Sequence, residues 1–179
     1  MNSIIEQSGV DLAQLHGKED IAYMAQVRVP CIKVIHIPAK PTTTDLKEEK
    51  DHSNVMQQVL SEVGNYNAQA YALLFDSKLP GAKTSGGSGQ VFDWSLVGRS
   101  KNGKLLSVYF KLIIIVEKLN GIPVLLAGGL SSDNVAGAGA FSGVFGVDVS
   151  SGIELAQRPG VKDRAEMKKF IENAKSAKK

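Results

Sequence analysis

The chain has 179 residues, of which 43% are hydrophobic, 22% charged and 6% aromatic. This composition is typical of a globular protein and excludes wholesale disorder. The net charge of +3 comes from 21 basic and 18 acidic residues, and the excess of lysine lies in 168–179. A solvated helix end explains this lysine cluster better than a nucleic-acid-binding surface does.

The single cysteine, Cys31, excludes an internal disulfide framework and indicates a reducing compartment. The three histidines, His16, His36 and His52, lack the paired spacing of zinc ligands. The longest apolar run, 105–116, is shorter than the ~20 residues that cross a bilayer. The opening residues also lack the features of a signal peptide. We therefore expect a cytoplasmic protein without a metal or a membrane partner.

Five short apolar runs alternate with amphipathic stretches along the chain. Because these runs are nearly continuous, they predict parallel strands that are covered on both faces. Residues 1–10 look like the end of a helix. The last predicted helix has Asp163 at its start and Glu166 three residues later, the pattern of a capping box. The predicted strands are 12–16, 32–37, 70–75, 123–127 and 144–149, and the predicted helices are 18–28, 45–62, 94–101, 132–142 and 163–177.

The repeated βα units predict a parallel α/β sheet, either open and doubly wound or closed as a (β/α)8 barrel. Polar and glycine residues follow every predicted strand, which favours the barrel, because a barrel carries its chemistry on that face. An open sheet has its ligand site at one switch point. A complete barrel needs eight units and ~250 residues, so we expect 1–179 to form one incomplete TIM-barrel domain of about five units.

The segment between the third and fourth predicted strands is longer than one connecting helix requires. We expect an insertion at about 98–120. An extended helix, an inserted hairpin and sequence foreign to the domain all remain open for this segment.

A carboxylate and two glycine-containing turns follow the last three predicted strands. Burial of Asp76 would raise its pKa and let it act as a general acid, and the alternative is that it caps a turn. Gly128 and Gly129 follow the fourth strand, and 150–152 follows the fifth. Backbone amides in such turns bind phosphate, as the loops after the last two strands of barrels do. The alternative is that these glycines serve only the turns.

The motifs around these positions resemble phosphoribosylanthranilate isomerase, a (β/α)8 barrel of tryptophan biosynthesis. They occur in the family's order and together span most of the chain. The resemblance implies that the five strands are the family's fourth to eighth. The matching stretches are 14–17, 73–77, 85–94, 123–130, 146–154 and 159–163.

The resemblance implies an aldose–ketose isomerase, an intramolecular oxidoreductase that needs no cofactor. Its reaction is an Amadori rearrangement of the phosphosugar N-(5-phosphoribosyl)anthranilate. The family's general acid matches Asp76, and a general base removes the proton from C2. The residues that match the phosphate and substrate pocket are His16, Gly86, Gly87, Gly89, Gly128, Gly129, Asp148, Ser150, Ser151 and Gly152.

Two family features have no counterpart in the sequence. The family's general base is a cysteine in a Lys-[Val/Ile]-Cys-Gly motif after the first strand, and Cys31, which precedes a strand, does not match it. The Ser-Pro-Arg segment after the second strand is also absent. We therefore expect negligible turnover by this chain alone, and a missing N-terminal barrel half as its partner.

Other interpretations of the sequence remain open. The chain could be a non-catalytic fragment or the C-terminal part of a multifunctional tryptophan enzyme. It could also be related to a sister lyase, indole-glycerol-phosphate synthase, although the glycine-rich run 86–94 argues against the lyase.

Overall fold

A computed structural model describes residues 1–38, 48–66, 68–78, 121–139 and 144–177. The predicted helix 94–101 and the expected insertion at 98–120 lie outside these residues. The described elements, in chain order, are α1 (Asn2–Ser8), β1 (Ala13–Leu15), α2 (Ile21–Met24), β2 (Cys31–Pro38), α3 (Glu48–Tyr66), β3 (Ala72–Lys78), β4 (Val124–Leu126), α4 (Val135–Gly139), β5 (Gly146–Val147), a 3-10 helix (Ser151–Ile153) and α5 (Arg164–Ser176).

The five strands form one parallel sheet in the order β1-β2-β3-β4-β5. All five predicted strands are present, because continuous apolar runs are what a sheet buried on both faces needs. A doubly wound sheet reverses its strand order at a switch point, and the described strands show no such reversal. The parallel α/β fold is confirmed, and its strand order is that of consecutive barrel units.

The side chains of β2 and β3 alternate between the two faces of the sheet. On one face, Ile35 and Phe75 belong to the main core, which also contains side chains of α3, α4 and α5. On the other face, Val34 and Leu74 pack in a smaller cluster with Ala127. His36 and Asp76 continue the even-numbered series and therefore lie on this second face.

Helix α2 is much shorter than the predicted helix 18–28. Asp20 caps its N-terminus, because the Asp20 carboxylate accepts a hydrogen bond from the backbone amide of Tyr23 at 2.8 Å. Glu19 is not helical, and its carboxylate lies 3.1 Å from the ammonium group of Lys33 on β2. This long-range contact holds the residues before α2 in a loop, which a local pattern cannot anticipate.

Helix α5 begins after Asp163, as predicted. The Asp163 carboxylate accepts hydrogen bonds from the amides of Ala165 at 2.8 Å and Glu166 at 3.3 Å. The reciprocal half of the predicted capping box is wrong. The Glu166 carboxylate instead accepts a hydrogen bond from the Ser132 hydroxyl, which ties α5 to the turn before α4.

We expect Asp163→Ala to lower the free energy of unfolding by about 0.5–2 kcal/mol, because the first turn of α5 loses its cap. Urea denaturation followed by circular dichroism measures this change. Asp163→Asn keeps a capping oxygen and should stay close to the wild type. An equal loss in both variants would show that the charge, rather than the cap, stabilises α5.

The other helices agree with the sequence to within a few residues at most ends. Helix α3 extends beyond the predicted 45–62, and α4 begins later than the predicted 132–142, whose end at 140–142 lies outside the described residues. In the part of the chain that the structure describes, no helix has both the length and the apolar character needed to cross a membrane.

Candidate functional site

The carboxyl ends of the strands bring four titratable side chains to one edge of the sheet. His36 and Asp76 are register partners on β2 and β3. His16 directly follows β1, and Asp148 directly follows β5. Because all five strands are parallel, their carboxyl ends lie at the same edge, which is where α/β barrels carry their chemistry.

His16, His36 and Asp76 are in close contact with one another. The Nε2 atom of His16 lies 3.3 Å from Oδ2 of Asp76, and the two imidazole centroids are 5.1 Å apart. The backbone carbonyl of His16 lies 3.3 Å from Nε2 of His36. The Oε1 atom of Gln14 lies 3.4 Å from Nδ1 of His16. The His16 ring is therefore held by Gln14 through the nitrogen that does not face Asp76, and the His36 ring is held by the His16 backbone.

The side chain of Asp76 is only 12% exposed. Burial raises its pKa above the usual aspartate range, because the charged form is poorly solvated. The Asp148 carboxylate adds to this increase, whereas His16 and His36 act in the opposite direction. Asp76 is thus a carboxyl group that keeps its proton to a higher pH than an exposed aspartate does.

The loop after β1 is anchored beneath His16 by the buried ammonium group of Lys33. This group donates a hydrogen bond to the Gly17 carbonyl at 2.7 Å and lies 3.1 Å from the Glu19 carboxylate. It also lies 5.4 Å from the ring centre of Tyr66, whose hydroxyl donates to the Glu19 carbonyl at 2.8 Å. These contacts fix the backbone that carries the His16 imidazole.

The turn after β4 depends on two glycines. Gly128 has a φ of 85° and Gly129 a φ of 63°, a left-handed conformation that residues with a Cβ rarely adopt. The Asn134 amide holds this turn, since it donates to the Gly129 carbonyl at 3.0 Å and accepts from the Ser131 amide at 2.8 Å. The turn therefore has a fixed shape.

The turn after β5 packs directly against the turn after β4. A Cβ atom on Gly152 would stand 1.8 Å from the carbonyl oxygen of Leu130, so only glycine fits at this position. On its other side the turn is held by Lys162, whose ammonium group donates to the Ser150 carbonyl at 2.9 Å and to the Glu154 carboxylate at 2.7 Å. The two turns thus form one continuous surface with the Lys162–Glu154 ion pair beside it.

The structure therefore brings most of the sequence-predicted site residues to one edge. His16 contacts Asp76, Asp148 acts on its pKa, and the turns at 128–129 and 150–152 adjoin each other. The predicted site residues Gly86, Gly87 and Gly89 lie outside the described residues.

Sequence reasoning missed His36 as a site residue. Its contact with His16 depends on the pairing of two strands that lie far apart in the sequence. The available signal was its position near the carboxyl end of an otherwise apolar predicted strand, on the same side of the strand as Val34.

Cys31 lies at the other end of the sheet, because it is the first residue of β2. Its side chain is buried, with 3% exposure, and its thiol donates to the Val29 carbonyl at 3.5 Å. Burial raises the pKa of the Cys31 thiol, which disfavours the thiolate. Cys31 is therefore separated from the candidate site at the carboxyl edge by its position, and its environment disfavours the reactive thiolate.

Comparisons with known proteins identify relatives of this chain. An N-(5'-phosphoribosyl)anthranilate isomerase of Beijerinckia indica is 38% identical over 170 residues, which are 92% of this chain and 60% of that protein. The tryptophan biosynthesis protein TRP1 of Phytophthora nicotianae is 33% identical over 175 residues, 98% of this chain but 28% of that protein. This chain thus spans less than two thirds of either relative.

A solved structure shows the same fold. It is a phosphoribosyl anthranilate isomerase in complex with reduced 1-(o-carboxyphenylamino)-1-deoxyribulose 5-phosphate. The likeness has a TM-score of 0.60 at 24% identity and covers 97% of this chain and 64% of that one. The parallel sheet is therefore that of a TIM-barrel-like protein. The family model described as N-(5'phosphoribosyl)anthranilate (PRA) isomerase matches residues 1–173, and the chain belongs to this family.

Proposed function

We propose that this chain supplies the general acid and the phosphate site of an N-(5-phosphoribosyl)anthranilate isomerase in the cytoplasm. Its five strands would be the fourth to eighth of a (β/α)8 barrel, so that 1–179 is a partial domain with an insertion at about 98–120. The observation that carries the proposal is the buried carboxyl group of Asp76, whose pKa is raised, on the same edge as the two adjoining turns.

In this proposal Asp76 protonates the ring oxygen of the substrate's ribose. The bond between this oxygen and C1 then breaks, and the nitrogen lone pair forms a Schiff base to C1. A general base removes the proton from C2, and the resulting enolamine tautomerises to the ketone. A carboxyl group whose pKa is raised by burial suits the first step, because it keeps its proton to a higher pH than an exposed aspartate does. His16, 3.3 Å from Asp76, orients that carboxyl group.

The substrate's phosphate would bind where the two turns meet. Backbone amides of Gly129, Ser151 and Gly152 are the proposed donors. The ammonium group of Lys162, which is paired with Glu154, lies next to Ser150. The solved relative that binds a deoxyribulose 5-phosphate compound supports a ligand of this class. The loop containing Gly86, Gly87 and Gly89 is proposed to cover the substrate.

The cysteine of this chain does not serve as the general base in this proposal. Cys31, the one cysteine in the sequence, is buried at the opposite end of the sheet. We propose that the base comes from the N-terminal barrel half that the full-length relatives contain. The 28% coverage of the longer Phytophthora protein favours a second arrangement, in which the domain belongs to a multifunctional tryptophan enzyme.

Complementation tests the proposed function. We expect residues 1–179 alone to consume N-(5-phosphoribosyl)anthranilate at a negligible rate in a fluorescence assay. Addition of the first three βα units of the Beijerinckia relative should restore turnover, because these units carry the missing base. The same units with their motif cysteine changed to serine are the matched control and should restore none.

Two outcomes would contradict the proposal. Full turnover by 1–179 alone would show that the base lies within this chain. A complex of the two halves that forms but has no activity would show that the carboxyl edge of this chain does not hold the acid and the phosphate site.

A further inference from the structure

We propose that His16, His36 and Asp76 form a binding site for a divalent transition-metal ion of the Zn²⁺ class. One ligand atom from each of these residues lies within 4.8 Å of the others. Two imidazoles and one carboxylate are ligands that Zn²⁺ and its neighbours in the first transition row prefer. The three residues come from neighbouring parallel strands or their ends, so a rigid sheet holds them.

The hydrogen bonds of the two rings direct free lone pairs to this cluster. Nδ1 of His16 is next to the Gln14 amide oxygen and Nε2 of His36 is next to the His16 carbonyl. Because oxygen acceptors require a proton on these nitrogens, the neutral rings keep their lone pairs on the other nitrogen. This is the arrangement by which proteins orient metal-binding histidines.

One of the two nitrogens that carry these lone pairs is otherwise unsatisfied. Among the described residues, Nδ1 of His36 is a buried side-chain nitrogen without a hydrogen-bond partner, whereas Nε2 of His16 faces Oδ2 of Asp76 at 3.3 Å. Buried polar atoms are rarely left without a partner unless a ligand or an ion provides one. His36 belongs to the same cluster as His16 and Asp76, which points to a ligand shared by the three residues.

The spacing suits a small ion. Zinc binds nitrogen at about 2.0–2.1 Å and carboxylate oxygen at about 2.0–2.2 Å, so two ligands of a tetrahedral ion stand roughly 3.4 Å apart. The Nε2 atom of His16 and Oδ2 of Asp76 are 3.3 Å apart. A ligand atom of His36 lies within 4.8 Å of both and completes the set. The nearby Asp148 carboxylate, which acts electrostatically on Asp76, adds negative charge that favours a cation.

Metal binding has a consequence for catalysis, and this consequence alone rests on the proposed function. A coordinated carboxylate has lost its proton, so an occupied site would deprive Asp76 of its role as the acid. The metal would therefore inhibit the isomerase. Zinc binding itself can be measured without any activity.

The test uses the untagged chain and Co²⁺ as the probe, because bound Co²⁺ absorbs visible light. We expect visible absorption bands that Zn²⁺ abolishes by displacement and that Mg²⁺ leaves unchanged. His36→Phe should weaken Co²⁺ binding by more than tenfold, and Gln14→Ala, which removes only a supporting hydrogen bond, should weaken it about tenfold. His52→Gln, which removes the remaining histidine, is the control and should bind as the wild type does.

Equal Co²⁺ spectra in His36→Phe and the wild type would overturn the metal site, as would the absence of visible bands in the wild type. If His36→Phe loses its far-ultraviolet circular dichroism, Gln14→Ala decides the question, since Gln14 is exposed. Zinc that binds at this site without inhibiting the complemented enzyme would count against the proposed role of Asp76, and not against the site.

Discussion

Asp76→Asn is expected to lower the turnover number of the complemented enzyme by about 10²–10⁴-fold, the usual contribution of general acid catalysis. Asparagine has nearly the same shape and can still accept a hydrogen bond, but it has no proton to give to the ring oxygen. Because the two turns that are proposed to bind the phosphate are not altered, KM should change little. Steady-state fluorescence kinetics separate the two parameters. An unchanged turnover number would exclude Asp76 as the acid.

The same substitution should make the folded chain more stable near neutral pH. Burial raises the pKa of Asp76 in the folded state, so the folded protein binds this proton more tightly than the unfolded chain does. The stability that Asp76 contributes is complete below its unfolded-state pKa and is lost as the pH rises through its folded-state pKa. The Asn side chain has no charge to desolvate and is free of this loss.

Urea denaturation at a series of pH values measures this difference. The stability of Asp76→Asn relative to the wild type should increase from acid to neutral pH and then remain constant. A difference that stays constant over the whole range would mean that Asp76 is not held in its protonated form by the fold.

Gly152→Ala is expected to cost at least about 1–3 kcal/mol of unfolding free energy, as overpacking of a closely packed site does. The new Cβ would stand 1.8 Å from the Leu130 carbonyl oxygen, a backbone atom that cannot rotate away. The turn after β5 must then separate from the turn after β4. The complemented enzyme should therefore also show a higher KM, because the phosphate site is divided.

Gly64→Ala is the matched control for this substitution. Gly64 is exposed on helix α3, and nothing lies within 4 Å of its would-be Cβ atom. Alanine should stabilise the helix there by roughly 0.5–1 kcal/mol. If Gly152→Ala is as stable as Gly64→Ala, the two turns do not depend on their mutual contact.

Local patterns predicted the strands better than the helices. The strands are short, apolar and buried, so composition alone marks their positions. Helix α2 was predicted too long because Glu19, which fits a helix locally, is held by Lys33 from another strand. Glu166 likewise contacts Ser132 instead of closing a capping box. In both cases a contact between distant parts of the chain replaced the local one.

The candidate site was also predictable in part, because some of its residues directly follow the apolar strands. Asp76 and the glycines of the two turns stand directly after apolar runs, so their place at the carboxyl edge follows from the fold class. The contact of His36 with His16, and the tight approach of Gly152 to Leu130, depend on strand register and loop packing. The sequence pattern of a single segment indicates neither the strand register nor the loop packing.

The alternation of side chains along β2 and β3 has a consequence for how this protein can diverge. Positions such as Ile35 and Phe75 belong to the core, whereas their immediate neighbours His36 and Asp76 belong to the candidate site on the other face of the sheet. Selection for a different reaction can therefore act on every second codon of a strand without disturbing the codons between, which maintain the fold. An insertion or deletion of one codon within either strand would exchange the core positions with the site positions. It would therefore harm the fold and the candidate site at once.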